Sequence, residues 1–134
     1  MKKHEMTFTT AWMKWARYNK KLLPIAAAIE VKITTGPNLF FSQIPKHQRD
    51  ALELAKWGAY CYKLSDASRV KMPNDVIWMR DAAGLFVFHW VKKGNKMFYL
   101  VDIDAFLNFE ECSKKKSMTE VDAAKIAMIT GKLK

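Results

Sequence analysis

The run Ile25-Ala26-Ala27-Ala28-Ile29-Glu30-Val31-Lys32-Ile33 constrains the fold more than any other part of the chain, because it is apolar enough to demand burial yet holds two opposite charges. In a strand, successive side chains alternate between faces. Glu30 and Lys32 then share a face with Ala26 and Ala28, while Ile29, Val31 and Ile33 project from the other. The small alanines leave room above the charged face for an ion and a phosphate. A carboxylate holds a hard cation through oxygen, and a lysine neutralises developing charge or positions an attacking water, so the pair suits phosphodiester hydrolysis. The same spacing also fits a solvent-facing ion pair on a one-sided sheet, which is its commoner use.

Around this strand the pattern predicts an order of elements. Phe8, Trp12, Trp15 and Asn19 follow helical spacing, with Thr9 or Thr10 as cap, giving a helix over about 9–21 that Pro24 ends. Residues 25–35 form a central strand broken by Gly36-Pro37-Asn38. Pro45 starts a helix that runs to Trp57 with Gly58 as its stop, and Gln48, Ala51, Leu52 and Ala55 share its inward face. Residues 59–64 then form a strand, and a strand–helix–strand unit of this spacing predicts a parallel crossover. Runs at 75–80, 85–91 and 97–103, separated by Ala83-Gly84 and Gly94-Asn95, read as an antiparallel meander. A helix over 104–112 and another over about 118–129 follow, the latter with Ser117 and Glu120 as capping box and Gly131 as stop. No internal repeat is visible.

Length and charge narrow the class. A chain of 134 residues, half of them hydrophobic, reads as one domain over residues 1–134 that needs no structural metal. No apolar run reaches the roughly 18 residues of a membrane span, and Met1-Lys2-Lys3-His4-Glu5 lacks a signal-peptide core, so no membrane partner and a cytoplasmic location are expected. Cys61 and Cys112 stand too far apart for a zinc or disulfide motif and read as free thiols. Twenty-three Lys and Arg against thirteen Asp and Glu give +10, which points to a polyanionic partner. The clusters Lys14, Arg17, Lys20 and Lys21, then Lys92, Lys93 and Lys96, and the run Lys114, Lys115 and Lys116 suit backbone phosphates, or simply water. Trp12 and Trp15 read as core residues rather than base-stacking platforms, and His89 as a hydrogen-bonded sheet residue.

The segments Ala28-Ile29-Glu30-Val31-Lys32, Leu39-Phe40-Phe41-Ser42, Ile44-Pro45-Lys46-His47-Gln48 and Ala51-Leu52 together resemble the central motif of the PD-(D/E)XK nuclease superfamily. The likeness is to the RecU-type Holliday-junction resolvases and small phage nucleases of that kind, and it covers residues 25–64 well and the remainder loosely. It implies an α/β, restriction-endonuclease-like mixed sheet flanked by helices, here with a C-terminal antiparallel meander and helix. It also implies a Mg²⁺-dependent endonuclease, with Mn²⁺ as substitute, that cuts branched DNA as a homodimer. Glu30 would be a metal ligand and Lys32 the catalytic lysine, with Gln48 near the attacking water.

The chain departs from that pattern in one respect. The resemblance calls for an Asp on a strand before acid-x-Lys, but no Asp or Glu lies between Met6 and Ile29. Pro73-Asn74-Asp75-Val76-Ile77 has the look of that strand, so the expectation is that Asp75 has migrated to become the second metal ligand, on a strand beside the central one. The alternative is Glu5, similar to the first-helix glutamate of some resolvases. A non-catalytic basic nucleic-acid-binding protein and a regulatory protein that binds acidic protein are the rival readings.

Overall fold

The computed structural model describes residues 2–22, 26–63 and 76–134. In chain order the elements are α1 (Lys2–Tyr18), β1 (Ala27–Thr34), β2 (Asn38–Phe40), α2 (Lys46–Trp57), β3 (Ala59–Lys63), β4 (Val76–Arg80), β5 (Ala83–Trp90), β6 (Met97–Asp102), α3 (Ile103–Ser113), β7 (Ser117–Thr119), α4 (Glu120–Ile126) and β8 (Ile129–Lys132). The fold is α/β: a mixed sheet in the order β1-β5-β6-β8, with β1 parallel to β5 and the other pairs antiparallel. Two short pairs, β2 with β7 and β3 with β4, lie outside it. Among the described residues no helix is long and apolar enough to cross a membrane.

Alternation sorts the sheet's side chains into two cores. On one side Phe86, Phe88, Trp90, Tyr99 and Val101 pack with Leu52 of α2, Phe106 of α3 and Ala123 of α4. On the other, Leu85, Val87, Phe98 and Leu100 pack with Phe8 and Trp12 of α1. His89 is also on this side, its ring stacked on Phe8 at 4.4 Å and its Nδ1 donating to the Met97 carbonyl at 2.7 Å, which is the sheet role expected of it.

α2 approaches the sheet closely because the second residue of β5 is a glycine. A Cβ at Gly84 would stand 2.3 Å from the Leu52 carbonyl oxygen, so only a bare α-carbon lets the helix backbone touch the strand. The Ala82 amide donates to the Ala55 carbonyl at 2.9 Å, so α2 runs antiparallel to β5 and hence to β1. Its N-terminal half is fixed by Arg49, which pairs with Glu110, donates to the Phe41 and Ile44 carbonyls at 2.9 and 3.2 Å and lies over the Phe106 ring. Its C-terminal half is fixed by Lys56, which meets Asp102 at 2.8 Å and Asp104 at 2.6 Å.

Several expectations are corrected here. The Glu30 strand is an edge strand of the sheet, not a central one. Its parallel partner is β5, whereas the strand at 59–63 turns away to pair antiparallel with β4. The reason lies in composition. A strand covered on both faces reads as a nearly continuous apolar run, which Leu85–Trp90 supplies with His89 as its single polar residue and Ala59-Tyr60-Cys61-Tyr62-Lys63 does not. The three-strand meander is therefore absent: β5 and β6 form the expected hairpin, with Gly94 at φ +77° in its turn, but the third antiparallel strand is β8. The C-terminal helix stops at Ile126, and its capping box is Thr119 with Asp122 rather than Ser117 with Glu120. α1 starts seven residues earlier than expected, at Lys2 rather than Thr9.

Candidate active site

Glu30 and Lys32 stand on one face of β1, as alternation requires, with Lys32 Nζ 3.4 Å from Glu30 Oε1. Their register partners on β5 are Phe86 and Phe88, both fully buried, so two charges sit directly beside a closed aromatic core. The side chains are 16% exposed for Lys32 and 31% for Glu30. An ion pair with this much access to water contributes only about 0–1 kcal/mol. Stability alone does not account for its position.

The edge location makes the pair reachable. A cavity of about 150 Å³ at the edge of β1 is lined by Lys32 together with Glu5 from α1 and Gln43 from the 3-10 turn Phe41–Gln43. Lys32 therefore belongs to both groups, paired with Glu30 and facing the cavity that Glu5 lines. Glu5 is half-buried, on the same α1 stripe as Phe8, Trp12 and Trp15, and the packing of that stripe against the sheet brings it to β1. Gln43 Oε1 accepts from the Phe40 amide at 3.0 Å, closing the turn that leads to α2, and no motif marks Gln43 in the sequence.

Gln48 faces inward, as expected. Leu52 sits over Gly84, which pairs with Ala28. One turn back along α2 is about 5.4 Å, close to the ~6.6 Å of two residues along a strand, so Gln48 stands near the level of Glu30. Its Oε1 is buried and has no hydrogen-bond donor among the described residues. A buried amide oxygen without a donor calls for a water or ligand. Asp75 lies outside the described residues. The strand that follows it, β4, pairs with β3 and not with β1, which removes the sheet-neighbour argument for Asp75.

Among the described residues no three His, Cys, Asp or Glu are grouped to hold one ion. The donors present still fit a hydrated Mg²⁺ or Mn²⁺. Such an ion keeps several waters and needs one or two carboxylates plus substrate oxygens; Glu30 is one such carboxylate, beside Lys32 on the α2 face of β1, Glu5 reaches the edge cavity from α1 on the opposite face, and Gln48 Oε1 is an acceptor without a donor among the described residues.

The basic clusters are exposed: Lys14, Arg17 and Lys21 near α1, Lys93 and Lys96 at the β5–β6 turn, and Lys114 and Lys116 after α3. Lys20 lies in the 3-10 turn Lys20–Leu22. Lys92 is paired with Glu120 at 2.7 Å and Lys115 with Asp122 at 3.7 Å.

The clearest pKa shifts lie in clusters whose partners are internal to the fold. Burial, with its hydrogen bond to Glu120, pushes the Tyr99 hydroxyl up to about 12. Burial pushes Glu120 up, but hydrogen bonds from Lys92, Asn95 and Tyr99 outweigh it and hold the carboxyl below its usual range. Asp104 is held low by Lys56, and Asp122 by the Thr119 backbone amide. Tyr99 with Glu120 ties α4 to the sheet, Asp104 with Lys56 ties α3 to α2, and Asp122 with Thr119 caps α4.

Compared with models of protein families, with curated proteins and with solved structures, the chain has no match.

Proposed function

We propose that this chain is a divalent-metal-dependent endonuclease of the PD-(D/E)XK kind, with its catalytic centre at the edge of β1. The observation that carries the reading is the placement of Lys32, 3.4 Å from Glu30 on one side and lining the Glu5 cavity on the other. The +10 charge supplies the attraction for a phosphate backbone.

In this reading Glu30 would hold the metal at the open edge of β1, with Glu5 reaching the same edge from α1 as the second acid; the ion would supply a lowered pKa of bound water and neutralise charge on the phosphate. Lys32 stabilises the extra negative charge as water attacks phosphorus and the bond to the leaving oxygen breaks. Gln48 Oε1 accepts a hydrogen bond from that water and so orients it. Geometry favours Glu5 over Asp75 as the second acid, because Glu5 lines the Lys32 cavity while the strand after Asp75 belongs to another sheet. Branched DNA as substrate, a homodimer that cuts paired strands and a cytoplasmic location complete the proposal.

A second reading, a nucleic-acid-binding module without cleavage, is favoured by the charge alone. Incubating the purified protein with labelled four-way, flap, duplex and single-stranded DNA, in Mg²⁺, Mn²⁺ or chelator, separates the two. Metal-dependent cuts are expected. Binding without cuts on every substrate overturns the nuclease.

A further inference from the structure

A larger cavity lies at the opposite edge of the sheet. It has a volume of about 590 Å³ and runs between the end of α1 and β8, lined by Lys14, Trp15, Tyr18, Asn19, Lys132 and Lys134. That volume falls within the ~300–1,000 Å³ of small-ligand clefts. Three ammonium groups and two aromatic rings line it, with no Asp or Glu among its described lining residues.

The packing explains why Trp15 is presented there. A Cβ at Gly131 would stand 2.2 Å from the Phe98 ring, so only a bare glycine leaves room for that ring against β8. Trp15 meets Phe98 edge-on, with ring centroids 4.7 Å apart, and Asn19 Nδ2 donates to the Trp15 carbonyl at 2.8 Å. Trp15 is thus fixed and half-buried, packed against the core around Phe98 while it lines the cleft, and Tyr18, one turn on, is 81% exposed. A ring surface framed by cations is what an unpaired nucleotide needs: the base stacks and the phosphates pair. An acidic peptide would use the lysines but leave the rings without a partner.

We infer that this cleft binds a single-stranded segment of DNA, with a base on Trp15 and Tyr18 and flanking phosphates on Lys14 and Lys132. The choice of DNA over RNA rests on the proposed nuclease. Trp15 and Glu5 lie on one stripe of α1, ten residues and so about 15 Å apart. An unpaired strand held in the cleft reaches the Lys32 site within a few nucleotides. The substrate class this assigns is DNA with an unpaired segment beside the cut, such as a flap or a fork, in preference to a fully paired duplex.

The test is fluorescence anisotropy on the full chain in chelator, so that binding is read without cleavage. The probes are labelled oligothymidylate, an abasic strand of equal length and charge, and a duplex. Wild type is expected to bind oligothymidylate about tenfold more tightly than the abasic strand. Tyr18→Ala, at an exposed position, should bring that ratio close to one. Lys14→Ala with Lys132→Ala should weaken both and make the log–log salt slope shallower by about 1.4. A wild-type ratio near one, or a Tyr18→Ala ratio equal to wild type, overturns the cleft. Tighter binding of oligouridylate than of oligodeoxyuridylate overturns the assignment to DNA, and equal binding of polyglutamate overturns the nucleic-acid partner. A chain that discriminates but never cuts refutes only the nuclease, and one that cuts without discriminating refutes only this cleft.

Discussion

Gly84→Ala tests the contact that sets α2, and with it Gln48, above the Glu30 strand. The added methyl would lie 2.3 Å from the Leu52 carbonyl oxygen and 2.9 Å from its carbon. The obstacle is helix backbone, which cannot rotate away as a side chain does. Restoring ordinary contact near 3.4 Å requires α2 to retreat by about 1 Å. The retreat opens a gap beneath Leu52 and Ala55, both buried, and a gap of that size forfeits about a quarter to a half of each dispersion contact. Overpacking of this kind costs about 2–3 kcal/mol. Urea unfolding should show it as a midpoint lowered by about 1–2 M, and calorimetry as a melting temperature about 6–12 °C lower. A variant within about 0.5 kcal/mol of wild type would refute the close approach and the placement of Gln48 derived from it.

Asp122 is held below its ordinary pKa of 3.8 mainly by the Thr119 amide, so its stabilising contribution is present above that value and is lost as pH falls through the folded-state pKa. Asp122→Asn should flatten the acid limb of a stability–pH curve from urea midpoints, and Asp122→Ala should cost about 1 kcal/mol by removing the capping box. Lys114 ends α3 at φ 54°, where a side chain is strained, so Lys114→Gly should raise stability by about 1 kcal/mol in the same unfolding measurement. Glu5→Gln should lower metal-dependent cleavage about 100-fold in single-turnover assays while moving the unfolding midpoint little, since Glu5 is only half-buried.

The sequence made local features legible and long-range pairing much less so. Pro45 and Gly58 bracket α2 as expected, and the spacing of Glu30 and Lys32 put both on one face. Gly94 marked the β5–β6 turn. The partner of β1 was missed because a strand–helix–strand count picks the next strand in line, whereas the sheet selects the strand that buries both faces, Leu85–Trp90. Glu5 was legible only as an alternative. Its register with Phe8, Trp12 and Trp15 carries the α1 stripe back to the start of the helix, but its place in the cavity that Lys32 lines depends on how α1 lies across the sheet. The later capping box has a similar cause. Glu120 is taken by Lys92, Asn95 and Tyr99, which leaves Thr119 and Asp122 to cap α4.

The central claim is that Glu30 and Lys32 form a catalytic pair and not a surface ion pair. Single-turnover cleavage of branched DNA by Glu30→Gln and by Lys32→Ala, with DNA affinity and unfolding midpoint measured on the same preparations, tests it most directly. Each variant should lose about 100-fold or more in rate, keep wild-type affinity and change stability by no more than about 1 kcal/mol. Cleavage by either variant within about threefold of wild type would place catalysis elsewhere in the chain.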